Sequence, residues 1–226
     1  MLLTKVLTRN NSHEMPLLHL HTFRNATIGI WRTDETLECL RSMLSANLPY
    51  DEELSALHAQ SRKMEYLGVR VLLRTLCGEE LHVRHHPSGK PFLSGDGRCI
   101  SISHTRGYVA VALHPSETVG EDIERRSERV RRAATRFLHP DELPCLSSLS
   151  AEEQLTALLL HWSAKETMYK MMDAEGVDFQ QQLLVRPFVL GESGVMEALE
   201  MCTPEMRRFE IHYLTHPDFV LTYSVG

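Results

Sequence analysis

The order of strand-like and helix-like segments predicts an α+β protein made of two halves, residues 1–115 and 116–226. Three observations carry that expectation. Strands, helices and strands are followed by helices and strands again. The HPSE stretch from His114 to Glu117 has the composition of a connector. No low-complexity tract or long linker separates the halves, so close packing is expected. Halves of about 110 residues each stand well above the roughly 40 residues below which folds need staples.

The elements follow in order. LLHLHTF (17–23) and ATIGIWR (26–32) alternate as half-buried strands do, and Arg24-Asn25 suits a tight turn between them. Asp34 is expected to cap a helix running to about Ala46, and Ser61 a longer one. In the second, Met64, Leu67, Val71 and Leu72 share a face, while Arg62, Lys63, Arg70 and Arg74 add positive charge. After Gly78 come strand candidates at 81–85, 91–93, 99–103, 108–113 and 118–124, punctuated by Gly and Pro. A helical stretch begins near Glu128, is interrupted at Pro140 and Pro144, and resumes from Ala151 to Met172. The remaining chain returns to strands, most clearly at 209–215 and 219–225.

Composition excludes several classes. Hydrophobic residues at 42% and charged residues at 24% are those of an ordinary globular chain. No stretch approaches the roughly 20 apolar residues that span a bilayer. The opening MLLTKVLTRNNSHEMP has one short apolar run broken by Lys5, unlike a secretory leader. Five scattered cysteines with no CxxC pair argue against a disulfide framework or a zinc knuckle. A cytoplasmic location is therefore expected. A net charge of −6 gives no global reason to bind nucleic acid. The exception is local: six arginines between Arg125 and Arg136, which read alone as a solvated helix face.

Four segments carry chemistry. In VGEDIE, Asp122 and Glu124 stand at i and i+2 on a strand, so both carboxylates face one side and Ile123 the other. Oxygen ligands in that pairing suit a hard cation such as Mg2+, although such a pair is also common at a solvated sheet edge. In HWSAKETMYK, Trp162, Glu166 and Lys170 recur at i, i+4 and i+8 and form one stripe, with the carboxylate and ammonium at its exposed end. In SISHTRGYVAVAL, a strand ends at His104 beside Ser103, and Gly107 permits the turn that follows; this end could bind phosphate oxygens or simply be a structural Ser–His pair. In HPSGKPFL, Gly89 and Pro91 shape a turn around Lys90.

Taken in this order, Gly89-Lys90-Pro91, Ser101-Ile102-Ser103-His104, Val119 to Glu124 and Trp162 to Lys170 resemble the 4'-phosphopantetheinyl transferases, specifically their larger surfactin-type (Sfp-type) branch. The resemblance covers residues from about 60 to 185. Glu121 departs from it, since the family often has an apolar residue there; it should point away from Asp122 and lie outside any metal shell.

The resemblance implies a monomer of two similar α+β halves related by a pseudo-twofold axis, with coenzyme A in the cleft between them. It implies transfer of phosphopantetheine from coenzyme A to a serine of an apo acyl or peptidyl carrier protein, with adenosine 3',5'-bisphosphate leaving. Asp122, Glu124 and Glu166 would hold Mg2+, or Mn2+, at the pyrophosphate. Glu166 would also be the base, directly or through a metal-bound water, and Lys170 would stabilise the leaving group. Ser103 and His104 would meet coenzyme A phosphates, Lys90 and Pro91 its adenine or 3'-phosphate end, and one of Arg62, Lys63 and Arg70 the 3'-phosphate. Arg125, Arg126, Arg129 and Arg132 become a docking surface for an acidic carrier. Two other readings stay open: a binding protein that keeps the coenzyme A site but has lost catalysis, and a metal-dependent phosphohydrolase. Neither nucleic acid nor membrane is expected as a partner.

Overall fold

A computed structural model describes residues 17–45, 47–172 and 174–226, and the chain divides into two compact units, Met1–Glu117 and Thr118–Gly226. Both combine antiparallel sheet with helices, so the chain is α+β.

In the first unit, β1 (Leu17–Phe23) and β2 (Ala26–Arg32) form a hairpin whose turn residues Arg24 and Asn25 both have positive φ, 44° and 67°. Two positive φ values match the turn to the strand twist, as the asparagine suggested. Helix α1 (Leu37–Ser42) is capped by the Thr36 hydroxyl, not by Asp34, which pairs with Arg32. The expected end at Ala46 lies outside the described residues. Helix α2 (Tyr50–Ser55), unread in the sequence, precedes α3 (Gln60–Cys77), which starts before Ser61 and stops at Gly78 in the left-handed conformation, φ 74°. Strands β3 (Val83–His85) and β4 (Pro91–Leu93) form a small hairpin, and β5 (Cys99–Thr105) and β6 (Tyr108–His114) complete a sheet of order β1-β2-β6-β5. Helix α3 packs on β2 and β6, burying Leu67, Val71 and Leu72, while Met64 is only half-buried.

The second unit opens with β7 (Val119–Arg125) and α4 (Arg129–Phe137). Pro140 then starts a 3-10 turn, and Pro144 sits in the first turn of α5 (Leu143–Ser147). At both places a missing N–H costs nothing, so the prolines begin elements rather than merely interrupt one. Helix α6 (Ala151–Met171) is closed at its start by a capping box between Ser150 and Glu153. Helix α7 (Phe179–Gln182) leads into β8 (Leu183–Val185), β9 (Ser193–Glu200), β10 (Arg208–Thr215) and β11 (Phe219–Val225). The sheet order is β7-β11-β10-β9-β8, antiparallel throughout.

Helix α6 lies on β7, β11 and β10 with apolar residues on nearly all sides, among them Leu155, Leu159, Leu160 and Met168. A helix buried all round is part of a core. Truncating one of these leucines to alanine costs about 2–5 kcal/mol. All five cysteines are free thiols. Among the described residues no helix is long and apolar enough to cross a membrane.

Candidate active site

The centre of the second unit is built where α6 crosses β7. Gly120, Asp122 and Glu124 alternate onto one side of the strand, and that side faces the helix. A Cβ at Gly120 would stand 2.6 Å from the Thr167 carbonyl oxygen and 2.6 Å from Met171 Cγ. Only glycine lets the helix backbone come this close. Small polar residues complete the seat: Ser163 Oγ donates to the Asp122 carbonyl at 3.1 Å, and the Thr167 and Thr222 hydroxyls meet at 2.7 Å.

This approach joins the two sequence motifs. Lys170 Nζ donates to Asp122 Oδ1 at 2.9 Å and to the Glu121 carbonyl at 2.8 Å. Trp162 Nε1 donates to Glu124 Oε1 at 2.7 Å. Trp162 and Lys170 therefore each hold one of the strand carboxylates, with Glu166 one turn from either. The stripe does not end in solvent as the spacing suggested. Its charged groups turn inward because the strand opposite supplies partners.

Burial shapes the charges. It raises the pKa of Glu166 to about 7, the Asp122 charge adding to the effect and Lys170 opposing it. Burial likewise raises Glu124 to about 7, with Asp122 and Glu166 contributing and the Trp162 hydrogen bond pulling the other way. Burial acts against the charge of Lys170, yet Asp122 and Glu121 outweigh it and its pKa is raised. Glu121 is fully buried, and burial lifts it to about 8.

Asp122, Glu124 and Glu166 thus repel one another electrostatically, the mark of a site that a cation would relieve. Among the described residues, however, no group of three or more His, Cys, Asp or Glu side chains converges as a metal site. Lys170 occupies Asp122 and Trp162 occupies Glu124. The donor set still fits Mg2+, which takes one or two carboxylates and completes its shell with water and substrate phosphates.

In the first unit the structure brings some predicted residues together. His104 lies within β5, opposite Val109, rather than ending the strand, and Ser103 is buried beside it. Arg62 Nη1 donates to His104 Nε2 at 3.1 Å and to Glu65 Oε2 at 3.0 Å, while remaining largely exposed. Arg70 is directed elsewhere: its guanidinium lies 3.6 Å from the Tyr66 ring centroid and 3.8 Å from Glu53, with a tenth of its side chain exposed. Lys63 is half-buried on α3. Lys90 and Pro91 sit in the β3–β4 hairpin, where Gly89 has φ 86°, and β4 lies beside β5.

The arginine run also sorts itself. Arg126 donates to Thr156 and Glu152, and Arg131 to Glu128 and the Ala151 carbonyl, so both tie β7 and α4 to α6. Arg125 is exposed at the end of β7. Arg129, Arg132 and Arg136 are exposed at i, i+3 and i+7 on one face of α4, turned away from the buried side that carries Val130 and Phe137. Arg136 was not singled out in the sequence, and Arg126 does not belong to the open face.

Comparison with known proteins meets this geometry at one point: residues 118–223, which contain the whole β7–α6 centre, match the sequence model of the 4'-phosphopantetheinyl transferase superfamily. That segment belongs to the 4'-phosphopantetheinyl transferase superfamily. The chain is 35% identical over 129 residues to 4'-phosphopantetheinyl transferase gsp of Aneurinibacillus migulanus, covering 49% of this chain and 53% of that one. It is 26% identical over 166 residues to 4'-phosphopantetheinyl transferase HetI of Nostoc sp., covering 66% and 70%. The chain thus spans about half the length of the first relative. The superfamily segment carries both the Val119–Glu124 and the Trp162–Lys170 motifs, the two that the structure brings into contact.

Proposed function

We propose that this chain transfers the 4'-phosphopantetheine of coenzyme A to a serine of an apo acyl or peptidyl carrier protein. The observation that carries the reading is the contact of two motifs on separate elements: Asp122 and Glu124 on β7 against Trp162, Glu166 and Lys170 on α6. The serine oxygen attacks the pantetheine-bearing phosphorus and the pyrophosphate bond breaks. Adenosine 3',5'-bisphosphate leaves, and the serine proton passes to a base.

Glu166 suits the base, directly or through a metal-bound water; without a cation, burial raises its carboxyl to about 7. Lys170, kept charged by Asp122, offers positive charge to the leaving phosphate. Mg2+ held by Asp122, Glu124 and Glu166 would neutralise charge across the pyrophosphate. For the 3'-phosphate, exposure and the neighbouring His104 favour Arg62 over Arg70, whose guanidinium is spent on Tyr66 and Glu53. Ser103, Lys90 and Pro91 remain in the reading as further coenzyme A contacts. Arg129, Arg132 and Arg136 are the docking face for an acidic carrier, with Arg125 beside them. The chain acts as a cytoplasmic monomer.

Incubation with coenzyme A, Mg2+ and an apo carrier protein tests this by mass spectrometry. A gain of one phosphopantetheine on the carrier is expected, and Mn2+ in place of Mg2+ extends the comparison. No gain on any carrier overturns the reading: coenzyme A cleavage without carrier labelling would make the chain a phosphohydrolase, and coenzyme A binding alone an inactive binding protein. Glu166→Gln should lower transfer by about 10²-fold or more with the fold retained. Full activity in that variant would remove Glu166 from its role.

A further inference from the structure

Beside Glu166 on α6 stands a second charged residue with a different task. The Lys165 and Glu142 side chains are both fully buried and lie 3.0 Å apart. Every contact around them is satisfied. Lys165 Nζ donates to the Phe137 carbonyl at 2.6 Å, to Glu142 Oε2 at 3.0 Å and to the Phe179 carbonyl at 3.1 Å. Glu142 also accepts from the His139 N–H at 2.7 Å and from the Val185 N–H at 2.7 Å. One ammonium thus fixes the end of α4 and the start of α7 to the middle of α6.

The two residues whose carbonyls it holds also form the walls around Trp162. The Phe137 ring meets the indole edge-on with centroids 5.2 Å apart, and the Phe179 ring lies 5.7 Å away. The indole so enclosed donates from Nε1 to Glu124. A buried ion pair is weak support for stability by itself, because desolvation offsets the attraction, and its best-attested use is to specify one arrangement. Here the arrangement it specifies ends at a carboxylate of the candidate active site.

We propose that Lys165 and Glu142 are positioning residues: through the Phe137 and Phe179 backbone they fix the Trp162 indole, and through it the Glu124 carboxylate. The consequence for catalysis rests on the transferase reading; the geometric link does not. Neither residue touches the reacting atoms.

The test uses the full chain labelled with 15N. It has two tryptophans, and Trp31 in the first unit donates to Glu35, so its indole serves as an internal reference. In K165M/E142Q, where no unpaired charge is left buried, the Trp162 indole N–H should move and its hydrogen exchange should accelerate on the order of tenfold, as for loss of a hydrogen bond to a charged group. The Trp31 signal should stay in place. K165Q/E142Q, neutral on both sides and able to keep part of the hydrogen bonding, serves if that double variant does not fold, with a smaller shift in the same direction. An unchanged Trp162 indole in a folded variant overturns the proposal.

Kinetics gives the second arm. Trp162→Phe and K165M/E142Q should each raise the Mg2+ concentration for half-maximal transfer several-fold, and their combination should do no more than the worse of them. Fully multiplying effects would separate Lys165 from Trp162 and overturn the link. If the wild-type chain transfers nothing while the indole responds as expected, the transferase reading fails and the positioning pair stands.

Discussion

Gly120→Ala places the sharpest demand on the β7–α6 geometry. The added Cβ would sit 2.6 Å from a backbone oxygen, about 0.8 Å short of the 3.4 Å at which ordinary contact begins. Met171 can rotate away, but the Thr167 carbonyl belongs to the helix, so α6 itself must retreat. A retreat of that size stretches the 2.7 Å Trp162–Glu124 bond and the 2.9 Å Lys170–Asp122 bond to the edge of hydrogen-bonding distance. Overpacking costs about 1–3 kcal/mol, and a weakened bond to a charged group about 1.5–3 kcal/mol if lost. Lys170 is long enough to follow Asp122, which leaves an expected loss of about 2–3 kcal/mol. Urea unfolding of both proteins at one pH measures it. Its sign is diagnostic: at an unstrained position, Gly→Ala stabilises by about 0.4–1 kcal/mol through the unfolded chain. A Gly120→Ala protein as stable as the wild type would refute the close approach and the site geometry derived from it.

Charge reversal of Arg129 and Arg132 together should raise KM for the carrier about tenfold while KM for coenzyme A stays within about twofold, and the difference should shrink in high salt; an unchanged carrier KM removes α4 as the docking face. His161 supplies a pH dependence of stability. It is buried, with Nδ1 2.7 Å from the Ala157 carbonyl, and burial lowers its pKa below 6.5. The unfolded chain therefore binds the proton first, and the stability this group supports is complete above pH 6.5 and falls as pH drops below it, by up to about 1.4 kcal/mol per pH unit. His161→Asn should flatten that part of the urea-midpoint profile, and an identical slope in the variant would assign the fall to other groups.

The strands were legible because β-branched and aromatic runs bounded by turn residues mark a strand whether one face or both are buried: 17–23, 26–32 and 219–225 match the structure residue for residue, although β11 is buried along its whole length. Other strand ends moved by one or two positions, as at β5, where pairing continues to Thr105. Helix starts were harder. Asp34 and Thr36 are both good caps, and the competing Arg32 ion pair, which decides between them, is invisible in local sequence. Helix α2 lacked a signal because six residues make too little periodicity. At the site, i, i+2 spacing put Asp122 and Glu124 on one side of a strand, and i, i+4, i+8 spacing put Trp162, Glu166 and Lys170 on one stripe of a helix. Spacing could not show that Trp162 and Lys170 would each hold a carboxylate, nor that Arg70 would fold back onto Tyr66, since both depend on elements distant in sequence.

Lys165 and Glu166 show most plainly where sequence reading stops. Adjacent residues on a helix point about 100° apart. On an amphipathic helix, one of two adjacent charges usually reaches water. Helix α6 is buried nearly all round, so each charge had to find its own partners within the fold. Glu166 turns to the β7 side, where burial, with the Asp122 charge adding to it, raises its carboxyl to about 7. Lys165 turns to the opposite elements and finds a carboxylate and two carbonyls. The Lys-Glu dipeptide therefore divides the helix between a buried ion pair and the proposed base. Replacing Lys165 with an apolar residue would leave the Asp122–Glu166 side intact in composition and yet, through Trp162, alter where its third carboxylate stands.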